Sequence, residues 1–224
     1  MEEIIDSLKK EIVNIFKNQQ KDRINRFRYL NELAIKGEIL FTGSSLMEQF
    51  PIDELLMSKG IKKIIYNRGV GGFTTKDFLE HMEEMVFAVE PSKIFINIGT
   101  NDIGSLNYSL KELIKNYEDI LNKIKNRLPN TKVYLVAYYP VNEIAKEPEN
   151  EWEKYAFITR TNENIKIANI EIEELAEKIG YEYIDINSGL LDDNGRLKSE
   201  YTIEGIHMYA NAYNLILDNM IKYL

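Results

Sequence analysis

Five short runs rich in β-branched and aromatic residues, at 37–42, 61–67, 93–98, 132–138 and 181–186, constrain this chain more than any other feature. Each is followed by a segment long enough for a helix, predicted over 51–59, from Thr74 or Thr75 to Val89, and over 109–128, 162–179 and 208–224. Short apolar runs bounded by turn residues read as buried strands, and longer segments with apolar residues three and four apart read as helices. Alternation of the two means βαβ units with right-handed crossovers, and a parallel sheet covered on both faces. With five strands the expectation is a flavodoxin-like α/β fold, a three-layer α/β/α sandwich of strand order 2-1-3-4-5. In that order the loops after strands two, one and three lie side by side at the carboxyl edge, where open parallel sheets bind ligands.

Ahead of the first strand, residues 1–35 carry Ile4, Ile5, Leu8, Ile12, Ile15, Phe27, Leu30 and Leu33 at helical intervals among charges. We expect a helical extension, one long helix or two, packed on the body by that stripe, with 21–23 marking a break or an exposed face. Residues 36–224 then form the main unit, with no Gly/Ser/Pro-rich linker to divide a chain of 224 residues. The extension also offers a contact surface for a homo-oligomer.

Charge and composition exclude several classes. Lys and Arg number 28 against 36 Asp and Glu, 28 − 36 = −8, and no basic run is present, which disfavours a nucleic-acid partner. Without cysteine there are no disulfides, thiolate nucleophiles or Cys-based zinc sites. The start, Met1-Glu2-Glu3, is acidic where a secretory signal is basic, and no apolar stretch approaches membrane-spanning length. A cytoplasmic protein with no membrane insertion is the expectation.

The three converging loops carry the chemistry. The first strand stops at Gly43-Ser44-Ser45, before a helical segment beginning Leu46-Met47. A serine on such a turn either caps the helix or presents its hydroxyl beside unpaired backbone N–H groups as a nucleophile. The second strand leads into the glycine-dense 68–75, where Gly72 can offer a backbone N–H with no side chain in the way. After the third strand, Asn101 can add a side-chain amide and Ser45 its own N–H. Three such donors would stabilise a tetrahedral oxyanion, each by about 2.7–4 kcal/mol of barrier. A hydroxyl nucleophile also needs a base, and the chain has two histidines. His81 lies among Glu80, Glu83 and Glu84 in a predicted helix and reads as a surface residue. His207 lies in a loop before the last helix, with Glu204 three residues earlier, close enough to hold Nδ1–H and fix the tautomer.

These segments resemble the conserved blocks of the SGNH hydrolases, also called GDSL-type esterases and lipases. The run 39–46 is similar to the first block, with Ser45 at the nucleophile position and Ser44 where Asp is usual. Residues 67–72 are similar to the second, making Gly72 the oxyanion donor, with Phe73 where the family has Asp. Gly99-Thr100-Asn101-Asp102 matches the third and implies Asn101 as the side-chain donor; 204–207 resembles the fifth, with Glu204 in place of Asp. The resemblance covers 39–207 in the family's order and implies a catalytic set of Ser45, His207 and Glu204 with an oxyanion hole of Ser45, Gly72 and Asn101.

Competing motifs fail on particular residues. A G-x-S-x-G elbow would need glycine at Met47, a dinucleotide fingerprint starting at Gly69 fails at Thr74, and no phosphate loop is present. Glu204-x-x-His207 lacks the second copy that a di-iron site requires, so no metal and no cofactor are expected. The reading is a serine esterase acting on a small-molecule ester with a short acyl group such as acetyl. Acyl transfer from the same site, or a non-catalytic carbohydrate- or nucleotide-binding module, are the alternatives. The long connection from Tyr138 to Phe157, with Trp152 and Tyr155, reads either as a lid or acyl pocket or as an aromatic patch on the sheet edge.

Overall fold

The structure is a computed structural model that describes residues 2–145 and 155–224. A long helix, α1 (Glu2–Glu32), precedes β1 (Ile39–Gly43), and the one-turn α2 (Ser45–Glu48) and α3 (Ile52–Ser58) lead to β2 (Ile65–Gly69). Helices α4 (Thr75–Glu80) and α5 (Met82–Met85) precede β3 (Lys93–Asn97); α6 (Thr100–Ile103) and α7 (Leu110–Arg127) precede β4 (Lys132–Val136). Then come α8 (Asn162–Ile179), β5 (Glu182–Ile184) and α9 (Ala210–Met220). The strands form one parallel sheet in the order β2-β1-β3-β4-β5, the expected topology.

Alternation along the strands assigns the two faces. Leu40, Ile94, Ile96, Val133 and Leu135 point into one apolar cluster with α1, α4, α5, α7 and α8. Their neighbours Ile39, Phe41, Phe95, Tyr134 and Val136 point into the other, under α2, α3 and α9. Successive side chains of a strand face opposite ways, so a strand covered on both sides must be apolar throughout, as 39–41 and 94–96 are.

Three local expectations are corrected. The helix predicted as continuous to Val89 breaks at His81, whose backbone is non-helical, and again at Val86. Thr74 closes its start with a capping box to Asp77. Strand two is shifted along the chain, so that Arg68 and Gly69 belong to it and 61–64 do not. Arg68 is buried there because α1 covers this edge strand: its guanidinium lies over the Phe27 and Tyr66 rings and donates to Asn31. The apolar residues of α1, finally, do not all face the body. Ile24 and Phe27 are buried, but Leu8, Ile12, Ile15 and Leu30 are exposed, as is Leu33 just past the helix end, by 81%. Helix α1 runs through 21–23 without a break.

Candidate active site

Backbone crowding at the carboxyl edge explains why each functional segment turns where it does. A Cβ on Gly43 would sit 2.0 Å from the Asn97 carbonyl of β3, and the residue has φ +150°. Only glycine ends β1 there. The chain then swings through Ser44, extended and making no side-chain cap, into Ser45 at the first position of α2. First-turn N–H groups of a helix have no partner within it, so Ser45 brings an open donor together with its hydroxyl.

His207 arrives from the far end of the sequence, on a tightly closed loop. Gly205 (φ +100°) packs against the Asn142 carbonyl with no room for a Cβ. The Thr202 hydroxyl accepts from the Gly205 N–H at 2.8 Å and donates to the His207 carbonyl at 2.9 Å. Within this loop one oxygen of Glu204, a residue 9% exposed, takes two contacts: the backbone N–H of His207 at 2.9 Å and ring Nδ1 at 2.5 Å. The other ring nitrogen, Nε2, lies 3.0 Å from Ser45 Oγ. A carboxylate, an imidazole and a hydroxyl are thus in hydrogen-bonded series, with Nε2 free to exchange a proton with the hydroxyl once Nδ1 carries its own.

The glycine-rich loop after β2 comes up to the same serine. Gly71 lies beside Ser45, 3.7 Å separating an ideal Cβ on the glycine from the serine Cβ. Around Gly72 the peptides are tied: Val70 N–H to the Gly43 carbonyl at 3.0 Å, Gly71 N–H to the Glu48 carboxylate, and the Gly71 carbonyl to Gln20 of α1 at 2.7 Å. The Gly72 N–H itself has no acceptor among the described residues, and the residue takes a left-handed φ of +76°. The Phe16 ring of α1, 48% exposed, lies over this glycine. Asn101, in the first turn of α6, donates from Nδ2 to the Phe73 carbonyl at 2.9 Å, which joins the second and third loops and leaves that nitrogen one more hydrogen to give.

Asp102 reinforces the junction. Its carboxylate accepts from the Thr75 N–H at 2.9 Å and the Thr75 hydroxyl at 2.5 Å. Burial nevertheless raises its carboxyl above the ordinary range, the hydrogen bonds offsetting only part of the desolvation. His81 is elsewhere, half-exposed and stacked on the Phe73 ring. Of the connection after β4, Tyr138 and Tyr139 are buried in the two clusters, while Tyr155 is exposed; Trp152 lies outside the described residues.

Sequence reading missed the residues that reach this site from outside the four blocks. Gln20 and Arg23 of α1 hold the carbonyls of Gly71 and Gly69, each at 2.7 Å, and Arg23 also pairs with Glu48 at 3.0 Å. Arg160 donates from Nε to the Thr100 carbonyl and from Nη2 to Asn101 Oδ1. Their spacing carries no chemical motif, and charged residues in a helix or before one ordinarily read as solvated.

Comparison with known proteins adds the following. The sequence model of the GDSL-like lipase/acylhydrolase family matches residues 52–215, a stretch that contains Gly72, Asn101, Glu204 and His207 and begins after Ser45. The chain is 27% identical over 215 residues to an N-acylneuraminate cytidylyltransferase of Escherichia coli O18:K1:H7, covering 92% of this chain and 46% of that protein. It spans, that is, about half the length of this relative. A solved structure from Streptococcus pneumonia, provisionally named a platelet activating factor, shares 31% identity and a TM-score of 0.85, covering 97% of this chain and 98% of its own. An acetyl xylan esterase, AlAXEase, has the same fold at 20% identity and a TM-score of 0.65, with 85% and 100% covered.

Proposed function

The chain belongs to the GDSL-like lipase/acylhydrolase family, and from that premise we propose that it is a carboxylic ester hydrolase whose nucleophile is Ser45, with His207 as base and Glu204 as the group that orients it. The observation that carries this reading is the contact of 3.0 Å between His207 Nε2 and Ser45 Oγ, with Nδ1 engaged by Glu204. His207 takes the hydroxyl proton as Ser45 Oγ attacks the acyl carbon. Negative charge on the carbonyl oxygen is met by the N–H groups of Ser45 and Gly72 and by Asn101 Nδ2. Collapse of the tetrahedral species expels the alcohol, which receives the proton from His207. Water, deprotonated by the same imidazole, then attacks the acyl-enzyme, and the acid leaves with Ser45 restored.

Short acyl esters, acetyl foremost, are the substrates of this reading. Phe16 lies over Gly72, and in this reading its ring forms one wall of a small acyl pocket. A structure sharing this fold belongs to an enzyme named for acetyl xylan, so acetyl esters of carbohydrate hydroxyls head the panel to be assayed. Among the described residues no helix is long and apolar enough to cross a membrane. The test is labelling with a fluorophosphonate probe together with hydrolysis of p-nitrophenyl esters graded by chain length. Labelling and turnover should both vanish in Ser45→Ala, with acetate the fastest ester. A variant that still labels and turns over would remove Ser45 from the mechanism.

A further inference from the structure

One buried cation stands beside the candidate oxyanion hole, and the mechanism above does not use it. Arg160 is 7% exposed, on the residue before the Thr161 cap of α8. Its guanidinium fills space left by Gly104, where a Cβ would lie 2.3 Å from Nη2. The neighbouring Thr159 hydroxyl donates to the Ser105 carbonyl at 3.1 Å, so 159–160 is fastened to the chain just after α6, the helix that carries Asn101. Burial lowers the Arg160 pKa to about 10, against the opposing field of Glu204; at neutral pH the group is charged.

The Asn101 amide sits between two groups that agree on its orientation. Oδ1 faces Arg160 Nη2 at 3.2 Å and Nδ2 faces the Phe73 carbonyl at 2.9 Å. Rotating the amide by half a turn would point N–H at a guanidinium that can only donate, and oxygen at a carbonyl that can only accept. Without Arg160 one of these two constraints is gone. The Phe73 carbonyl alone would then have to hold an amide whose second hydrogen must be aimed at a developing charge.

We propose that Arg160 is a positioning residue of the oxyanion hole, fixing the Asn101 amide with Nδ2 toward the reacting oxygen and polarising it with a buried positive charge. The inference rests on the serine-hydrolase reading of the site. A donor to Oδ1 strengthens the donor at the other end of the same amide, as in any hydrogen-bonded chain in a low-dielectric site. Lysine could reach the Thr100 carbonyl or Oδ1, but a point charge does not reproduce the planar fork that serves both.

The test is a double-mutant cycle on the full chain, with kcat and KM for p-nitrophenyl acetate measured for wild type, Arg160→Gln, Asn101→Ala and the pair. Asn101→Ala is expected to lower kcat by about 100-fold to 1,000-fold, the loss typical of one oxyanion donor. Arg160→Gln should lower kcat by about 10-fold to 100-fold with KM changed less than about threefold, and should add almost nothing in the Asn101→Ala background. Losses that multiply in the double variant overturn the proposal, as does an effect confined to KM. If Arg160→Gln does not fold, Arg160→Lys takes its place in the cycle, with a smaller fall in kcat and the same non-additivity expected. Ser45→Ala in the same series separates the two levels. Turnover surviving in it overturns the reading of the site itself, whereas its loss, alongside multiplying effects of Arg160 and Asn101, overturns the role of Arg160 alone.

Discussion

Replacing Glu204 by aspartate keeps the charge and by glutamine keeps the reach, and the geometry says which matters more. Both contacts to His207, from its N–H at 2.9 Å and from Nδ1 at 2.5 Å, fall on the same oxygen. In Glu204→Gln the backbone N–H selects the amide oxygen for that position, so the amide NH₂ points away from the ring and the imidazole keeps its tautomer. What is lost is the difference between a charge-assisted and a neutral hydrogen bond, about 1–2 kcal/mol. That corresponds to a fall of about 5-fold to 30-fold in kcat/KM, far less than the loss of about 10⁴ seen where an amide forces the wrong tautomer. In Glu204→Asp the oxygen retreats by one C–C bond, about 1.5 Å. The loop cannot follow, because Gly205 abuts the Asn142 carbonyl and Thr202 bonds both Gly205 and the His207 carbonyl. Both hydrogen bonds are then stretched beyond reach, at about 2–4 kcal/mol, or about 30-fold to 1,000-fold in rate. Steady-state hydrolysis of p-nitrophenyl acetate, with thermal unfolding to verify the fold, should therefore rank wild type above glutamine and glutamine above aspartate. An aspartate variant as active as the glutamine one refutes the claim that the loop is rigid; a loss near 10⁴ in the glutamine variant refutes the claim that the backbone N–H orients the amide.

Gly72→Ala should fold but react slowly: a left-handed φ of +76° costs alanine about 1–2 kcal/mol. Its methyl also meets the Phe16 ring at 2.7 Å. Single-turnover acylation should fall at least tenfold, roughly 1.4 kcal/mol of barrier, with Phe16→Ala restoring part of it; unchanged acylation would remove the Gly72 N–H from the oxyanion hole. Asp102→Asn probes the pH dependence of stability. With its carboxyl raised by burial in the folded state, Asp102 binds its proton more tightly folded than unfolded. Its contribution thus favours the fold fully below the unfolded value of about 3.9 and declines as pH rises toward the folded one. Urea midpoints across that acidic range should accordingly shift in favour of the asparagine variant as pH rises, and a constant or opposite difference would contradict the assignment.

The fold was legible because its signal is local and repeated. Runs such as 93–97 and 132–136 are apolar on both faces, as a covered parallel sheet demands, and their alternation with helices leaves few topologies. The errors lie where tertiary contacts override pattern. Arg68 looked like loop because a charged residue in a strand is ordinarily exposed; the cover of α1, with Phe27, Tyr66 and Asn31 around the guanidinium, makes it a strand residue. The stripe on α1 was misread for a related reason. Periodicity locates a face but not the surface that meets it, and along this helix the polar Gln20, Arg23 and Asn31 make contacts beside the buried Ile24 and Phe27 while Ile12 stays 65% exposed.

Within the site the same division separates what a sequence can say from what it cannot. Ser45, Gly72, Asn101, Glu204 and His207 each stand at a strand end or in a glycine turn, where the backbone leaves one residue type few alternatives, so a short string marks each of them. Gly43 is forced by the Asn97 carbonyl and Gly205 by that of Asn142, two approaches in which even a methyl cannot fit. Arg160 has no such mark, since its function in the geometry comes from a side chain reaching across to Asn101 from a different crossover. Gln20 and Arg23 reach the glycine loop in the same way, from a helix that precedes the sheet altogether. Long flexible side chains can come from many places in a fold to hold the same atom, so their positions are set by packing and not by spacing. The candidate oxyanion donors are therefore written in the sequence, and the groups that hold them in place become visible only when the chain is folded.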